Sequence, residues 1–166
     1  MKKKKLKFDP SQVARRQLQE ADLNFIWSSW LKSYRSSDFS TSISNDVYFT
    51  FHQALINHIL LNPTNSATVL VDPEHEDEIL GYIVYCTTRP IIHYVYVKNS
   101  YRGRGIGMYL FQGIAKHYEQ IQGKKKFKIE TTHKPKNWAK AKKDLSLVYN
   151  PYITGDYATY EKVENG

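Results

Sequence analysis

The sequence has few of the features that define several large protein classes. Its 166 residues include a single cysteine, Cys86, which excludes an intrachain disulfide and a cysteine-rich metal site. No apolar run approaches the roughly 20 residues that a membrane-spanning helix needs. The lysine-rich start of the chain lacks the apolar stretch of a signal peptide. These absences predict a cytoplasmic protein with no metal site and no membrane association.

The composition of the chain is that of a globular protein. Hydrophobic residues make up 41% and aromatic residues 14%, which is enough to bury a substantial core. Without repeats or low-complexity linkers, the chain is expected to form one domain over residues 1–166. Within that domain, residues 1–10 are expected to be a flexible basic tail.

Positive charge is in excess, with a net charge of +8 and a pI near 9.4. Lysines cluster within residues 2–5, 124–128 and 134–143. Such clusters attract nucleic acid or anionic cofactors. They are also common on surfaces without a partner, and lysines alone give only non-specific attraction to phosphate. Nucleic acid is therefore one alternative partner.

The first half of the chain shows two amphipathic helices around a polar loop. A short strand over residues 13–18 precedes a helix that Asp22 is expected to cap. After the loop-like residues 35–45, Asp46 is expected to cap a second helix that stops before Pro63.

Strands dominate the middle of the chain. Residues 91–97, which are almost continuously apolar or aromatic, are typical of a strand covered on both faces and placed at the centre of a sheet. Residues 72–78, DPEHEDE, are predicted to be a turn. The other predicted elements are strands at 67–71, 79–87, 127–132, 145–149 and 157–162, and helices at 106–121 and 137–143.

Arginine and glycine alternate in the stretch RGRGIG, residues 102–107, which lies between the central strand and the third helix. A strand, a glycine-rich turn and a helix together present unpaired amides to an anion. A P-loop would need Lys and Ser or Thr after Gly107, where Met108 follows, and the third glycine of a dinucleotide fingerprint is misplaced. A different anion-binding motif is therefore required.

The pattern that fits is Arg-x-x-Gly-x-Gly, formed by Arg102, Gly105 and Gly107. With this loop and this order of elements, the chain resembles the GCN5-related N-acetyltransferase (GNAT) superfamily. The resemblance implies an α/β fold: a mixed central sheet of about six to seven strands, flanked by about four helices and splayed between the fourth and fifth strands.

The same resemblance implies acetyl-CoA as co-substrate. The loop amides would bind its pyrophosphate, arginines would add charge at the rim, and the main chain at the end of the fourth strand would orient the thioester. The residues implied in these roles are Val95, Val97, Arg102, Gly103, Arg104, Gly105, Ile106 and Gly107.

Two residues are candidates for proton transfer. His93 is expected to share a strand face with Val95 and Val97, and one group of the superfamily that this chain resembles, the arylalkylamine N-acetyltransferases, has a histidine on the same strand. It could equally be a packed core histidine. The family's usual general acid, a tyrosine on the fourth helix, is missing from NWAKAKKD, and Tyr149 is the candidate substitute.

The function expected from this resemblance is direct transfer of an acetyl group from acetyl-CoA to an amine on a small molecule or a protein. One alternative is a modifier of nucleic acid, or of protein bound to it, on the same scaffold. Another is a non-catalytic module that binds CoA or a partner. The sequence leaves the acceptor and the oligomeric state open.

Overall fold

Six strands form one mixed sheet whose spatial order follows their order in the chain. The computed structural model describes residues 9–134 and 138–155. The strands are β1 (Ala14–Gln17), β2 (Asn65–Asp72), β3 (His75–Cys86), β4 (Ile91–Val97), β5 (Ile129–Thr131) and β6 (Leu147–Tyr149). Neighbours from β1 to β4 are antiparallel, whereas β4, β5 and β6 are parallel. The predicted mixed sheet is confirmed.

Four helices cover the sheet in the part of the chain that the structure describes. They are α1 (Leu23–Tyr34), α2 (residues 45–61), α3 (Ile106–Gln122) and α4 (Trp138–Leu145). The middle of α2, Tyr48–His52, is a π-helix between α-helical segments. No described helix has both the length and the apolar character needed to cross a membrane.

The core has two main parts, one on each face of the sheet. On one face α1 and α2 pack against aromatic and aliphatic residues, including Ile26, Trp30, Ile56, Val69, Tyr82 and Tyr94. On the other face α3 packs through its apolar stripe, and this part includes Leu70, Ile83, Ile92, Leu110 and Ile114. The sheet is thus covered on both faces, as the apolar sequence of β4 predicts.

Asp22 occupies the predicted N-cap position of α1, but its side chain makes no capping bond; the predicted cap Asp46 is wrong. The Asp22 carboxylate instead binds the Arg16 guanidinium at 2.6 and 2.9 Å, so that it holds α1 to β1. The N-cap of α2 is Ser44, whose hydroxyl accepts a hydrogen bond from Val47 N. Asp46 lies in the first turn of that helix, where its charge still suits the helix dipole.

The turn predicted over residues 72–78 is shorter in the structure. Asp72 pairs with His75, so only two residues connect β2 to β3. The polar residues that follow His75 form an exposed strand end, which explains why their composition is that of a loop. The predicted strand at 157–162, most of the predicted tail and Asn137 lie outside the described residues.

Gly81 allows the end of β4 to lie close to β3. It pairs with Val97, and a Cβ on Gly81 would stand 2.7 Å from the carbonyl oxygen of Tyr96. Because that oxygen belongs to a paired backbone, it cannot move without displacing the strand. We expect Gly81→Ala to lower the free energy of unfolding by about 1–3 kcal/mol, measured by urea denaturation.

Gly113, in the middle of α3, provides the matched control. The nearest atoms to a Cβ there are those of the Arg15 guanidinium, the closest at 2.2 Å, and that group ends a flexible side chain. Alanine also favours the helix by about 1 kcal/mol over glycine. Gly113→Ala should therefore change the stability by less than about 1 kcal/mol. Equal losses in the two variants would contradict a backbone clash at Gly81.

Candidate functional site

The glycine loop, residues 102–107, leads from the end of β4 into α3. Gly103 and Gly105 have φ values of 75° and 91°, in the left-handed region that favours glycine. The first intrahelical hydrogen bond of α3 runs from Tyr109 N to Gly105 O, at 3.0 Å. The three preceding helical amides, which have no intrahelical acceptor, are those of Ile106, Gly107 and Met108.

Space is open in front of these amides. Gly105 is the N-cap of α3 and makes no side-chain cap, and a Cβ built on it would meet no atom within 4 Å. The first turn of this 17-residue helix contains no acidic residue. Orphan amides and the positive end of the helix dipole therefore lie next to the open space at Gly105, an arrangement that suits a phosphate group.

The two arginines of the loop are exposed and lie against tyrosine rings. Arg102 Nε donates to Val97 O at 2.8 Å, and its guanidinium stands over the Tyr96 ring at 5.8 Å. Arg104 stands over the Tyr101 ring at 5.3 Å. Arg102 thus ties the loop to the end of β4 in addition to supplying positive charge beside it.

β4 and β5 separate near the glycine loop, as the resemblance implied. Within the described residues they pair only at Ile91 and Ile92, and a last backbone bond joins Thr132 N to Ile92 O at 3.2 Å. Val95 and Val97 lie beyond this point and pack on the α3 side. A Cβ on Gly107 would lie about 4 Å from their methyl groups. The gap between the strands therefore opens beside the start of α3.

His93 lies where the two strands begin to separate, but not on the expected face. Tyr85 pairs with Ile92 and Val84 pairs with Tyr94, so His93 is the extra residue of a β-bulge. The bulge breaks the two-residue alternation. The expectation that His93 shares a face with Val95 and Val97 is therefore wrong.

Both ring nitrogens of His93 have hydrogen-bond partners. Nδ1 lies 3.0 Å from Thr132 Oγ1 and Nε2 lies 3.0 Å from Asn65 Oδ1. The Asn65 amide also reaches Ile59 O of α2, so the imidazole is on the face that α1 and α2 cover. Burial lowers the pKa of His93 to about 3, because the charged ring would lose its hydration.

Two further buried histidines extend this hydrogen bonding. Thr132 Oγ1 is 2.9 Å from His133 Nδ1, and His133 Nε2 is 2.9 Å from His52 Nε2. Burial lowers the pKa of His52 to about 4 and that of His133 well below its usual value. We call the five side chains the histidine chain: His52, His133, Thr132, His93 and Asn65.

Of the histidine chain, the sequence analysis included only His93 in the site. His52 lies buried in the π-helical segment of α2, and its ring stacks between those of Tyr34 and Tyr48. Thr132 and His133 directly follow β5. Their position, as polar residues directly after a strand that neighbours the central strand, is the only local signal in the sequence that would have indicated Thr132 and His133.

Tyr149 is half-buried at the end of β6. Burial raises the pKa of its phenol, which is thus protonated at neutral pH. The Lys134 ammonium stands over its ring at 4.8 Å. Tyr149 lies near Tyr34, whose ring is 4.5 Å from that of His133.

Known proteins with similar structures share this fold at low sequence identity. A candidate acetyltransferase from Pyrococcus furiosus is 22% identical, covers 80% of this chain and 89% of its own, and gives a TM-score of 0.58. A candidate acetyltransferase from Clostridium difficile 630 is 20% identical over 86% of this chain and 96% of its own, with a TM-score of 0.55. A ribosomal-protein-alanine N-acetyltransferase from Brucella melitensis biovar Abortus 2308 is 13% identical, covers 85% of this chain and 95% of its own, and gives a TM-score of 0.52.

Sequence comparison defines the family. A search of curated proteins finds no significant match. The model of the acetyltransferase (GNAT) family matches residues 25–141, which include β2 to β5 and the glycine loop. The uncapped start of α3 and the gap between β4 and β5 fit the phosphates and the extended arm of the acyl donor used in this family. The chain therefore belongs to the GNAT family of acetyltransferases, whose acyl donor is acetyl-CoA.

Proposed function

We propose that this protein transfers the acetyl group of acetyl-CoA directly to an amine acceptor. The observation that carries the proposal is the uncapped start of α3, which lies where β4 separates from β5. Acetyl-CoA, when bound, supplies an acetyl group activated as a thioester. The buried, inert environment of Cys86 gives no support to a covalent acetyl-enzyme, so direct transfer is favoured.

The glycine loop would hold the pyrophosphate through its amides. Gly103 and Gly105 supply the backbone conformation, and Ile106 and Gly107 supply orphan donors. Exposed Arg102 and Arg104 would add positive charge at the rim. The main chain of Val95 and Val97 lies beyond the paired part of β4 and would orient the thioester in the gap.

Proton transfer would involve His93 and Tyr149. The acceptor nitrogen must lose a proton as its bond to the acetyl carbon forms, and His93 would be the base that gains a proton, at Nδ1. The thiolate that leaves would take a proton from Tyr149 Oη, which burial keeps protonated. His93 lies on the side of the sheet that α1 and α2 cover, and Tyr149 lies near Tyr34 of α1.

The proposal is tested by turnover with acetyl-CoA and a panel of amines, in which acetylated product is identified by mass spectrometry. The panel should contain arylalkylamines, polyamines and peptides with a free amino terminus. Acetylation of at least one amine, with release of an equal amount of free CoA thiol, is expected. Thiol release that does not depend on any amine would contradict transfer to an acceptor.

We expect His93→Gln to lower the turnover number by about 100-fold or more, the usual effect of losing a positioned base. Glutamine can still donate to Asn65, but it removes the ring nitrogen that faces Thr132. Acetyl-CoA affinity, measured by calorimetry, should stay close to that of the unaltered protein. A folded variant with parental turnover would remove His93 from the mechanism.

A further inference from the structure

The hydrogen bonds of the histidine chain have a direction, which begins at Asn65. The Asn65 Nδ2 group donates to two backbone carbonyls, Ile59 O at 2.8 Å and Thr154 O at 2.7 Å. Its Oδ1 atom must therefore be the atom that faces His93, and an amide oxygen only accepts. His93 Nε2 consequently carries the ring proton and donates it to Asn65.

The direction of each following bond depends on the one before it. A neutral imidazole with its proton on Nε2 has a lone pair on Nδ1, so Thr132 Oγ1 must donate to His93. Because the single hydroxyl proton of Thr132 is used in this way, His133 Nδ1 donates to Thr132. His133 Nε2 is then an acceptor, and His52 Nε2 donates to it.

Thr132 provides the hydroxyl group that joins His93 to His133 in the histidine chain. Its hydroxyl proton has two acceptors within reach, His93 Nδ1 at 3.0 Å and the His93 backbone oxygen at 3.4 Å, and the shorter bond is the one to Nδ1. The hydroxyl oxygen accepts from His133 and keeps one lone pair. Its backbone amide makes the last bond between the β5 segment and β4, so Thr132 stands at the base of the gap between the strands. The bond from His133 holds the hydroxyl proton in the direction of His93.

We propose that Thr132 carries the proton of the acceptor amine to His93, an inference that rests on the proposed function. As the amine nitrogen bonds to the acetyl carbon, its N–H bond breaks and its proton joins the free lone pair of Thr132 Oγ1. The original hydroxyl proton of Thr132 passes to His93 Nδ1. Two protons move, Thr132 ends as a neutral hydroxyl, and His93 gains the positive charge.

The groups around the histidine chain are mainly uncharged rings. Tyr34 and Trp30 face it from α1, Tyr48 from α2 and Tyr94 from β4. Two cations lie near these rings: Arg35 stands over Tyr48 at 4.9 Å, and Lys134 stands over the neighbouring Tyr149 ring at 4.8 Å. Among the described residues, no carboxylate is hydrogen-bonded to a side chain of the histidine chain. No negative charge in this set would therefore hold the proton on His93 after the reaction.

The inference is tested with three variants. Thr132→Val removes the hydroxyl at nearly constant volume and should lower the turnover number about 100-fold. Thr132→Ser keeps the hydroxyl and should stay within a few-fold of the unaltered protein. Thr131→Val is the matched control, because Thr131 is also buried and its hydroxyl has no hydrogen-bond partner among the described residues. All three variants should have the same Michaelis constant for acetyl-CoA as the unaltered protein. A disturbed fold would change that constant.

A second measurement uses the unaltered protein, so it does not depend on how any variant folds. Turnover in mixtures of light and heavy water should fall along a curve, since two exchangeable protons move in the transfer. A linear fall, or a folded Thr132→Val protein with parental turnover, would overturn the role of Thr132 and leave the proposed acetyl transfer intact. Failure of the unaltered protein to acetylate any amine would instead overturn the proposed function, and the relay with it.

Discussion

Gly105→Leu is expected to abolish the rise in melting temperature that acetyl-CoA produces in the unaltered protein. A ligand that binds only the folded state at 100 times its dissociation constant stabilises that state by about 2.7 kcal/mol. The leucine side chain would fill the open space in front of the α3 amides, where the pyrophosphate is proposed to lie. It would also cost about 1–2 kcal/mol, because the φ of 91° at residue 105 is unfavourable for any residue with a Cβ.

Gly123→Leu separates these two effects. Gly123 ends the same helix with a φ of 65°, and a Cβ built on it also meets no atom within 4 Å. The backbone strain of the two substitutions is therefore similar, but Gly123 lies at the opposite end of α3. Thermal melts of both variants, with and without acetyl-CoA, should show a similar loss of stability and a loss of the ligand effect only at Gly105. A full ligand effect in Gly105→Leu would contradict the assignment of the loop.

Elements whose apolar pattern is continuous were predictable to within a residue. The strand predicted over residues 91–97 is β4 as observed, and the helix predicted over 106–121 is α3 with one residue more. β3 was predicted too short, because its first residues are polar and exposed and so have no hydrophobic period. Asp22 is at the predicted N-cap position, but its carboxylate binds a charge partner on β1 and not the helix amides.

The candidate site was only partly predictable, for reasons of backbone geometry. The glycine loop is a local feature, so its residues and its place before α3 follow from the sequence alone. The orientation of His93 depends on a single inserted residue in β4, and a bulge leaves no periodic signal. His52 joins the histidine chain through His133, which is 81 residues away in the sequence, so no local pattern indicates their contact.

Acid is expected to destabilise the fold more steeply than the surface charges would suggest. The folded protein keeps His93 and His52 neutral down to about pH 3 and pH 4, and the pKa of His133 is also well below its usual value. In the unfolded chain each histidine has a pKa of about 6.5. Below pH 6.5 the unfolded state therefore binds protons that the folded state does not, so stability is complete above that pH and is lost as the pH falls towards 4. Between pH 7 and pH 5, three such groups remove about 5 kcal/mol, a large part of the stability of an ordinary domain.

The contribution of each buried histidine to the loss of stability in acid can be measured by replacing one histidine at a time. Urea denaturation at several pH values gives the slope of the unfolding free energy, and each buried neutral histidine contributes about 1.4 kcal/mol per pH unit to it. His52→Gln keeps an amide donor for His133 and removes one titrating ring, so its slope should fall by about one third. His75→Gln, at the exposed start of β3, should leave the slope unaltered. If the slope of the unfolding free energy against pH is the same in both variants, the acid sensitivity must come from other groups. A smaller slope in His52→Gln alone would show that the neutral state of the histidine chain is maintained by burial, as the relay through Thr132 requires.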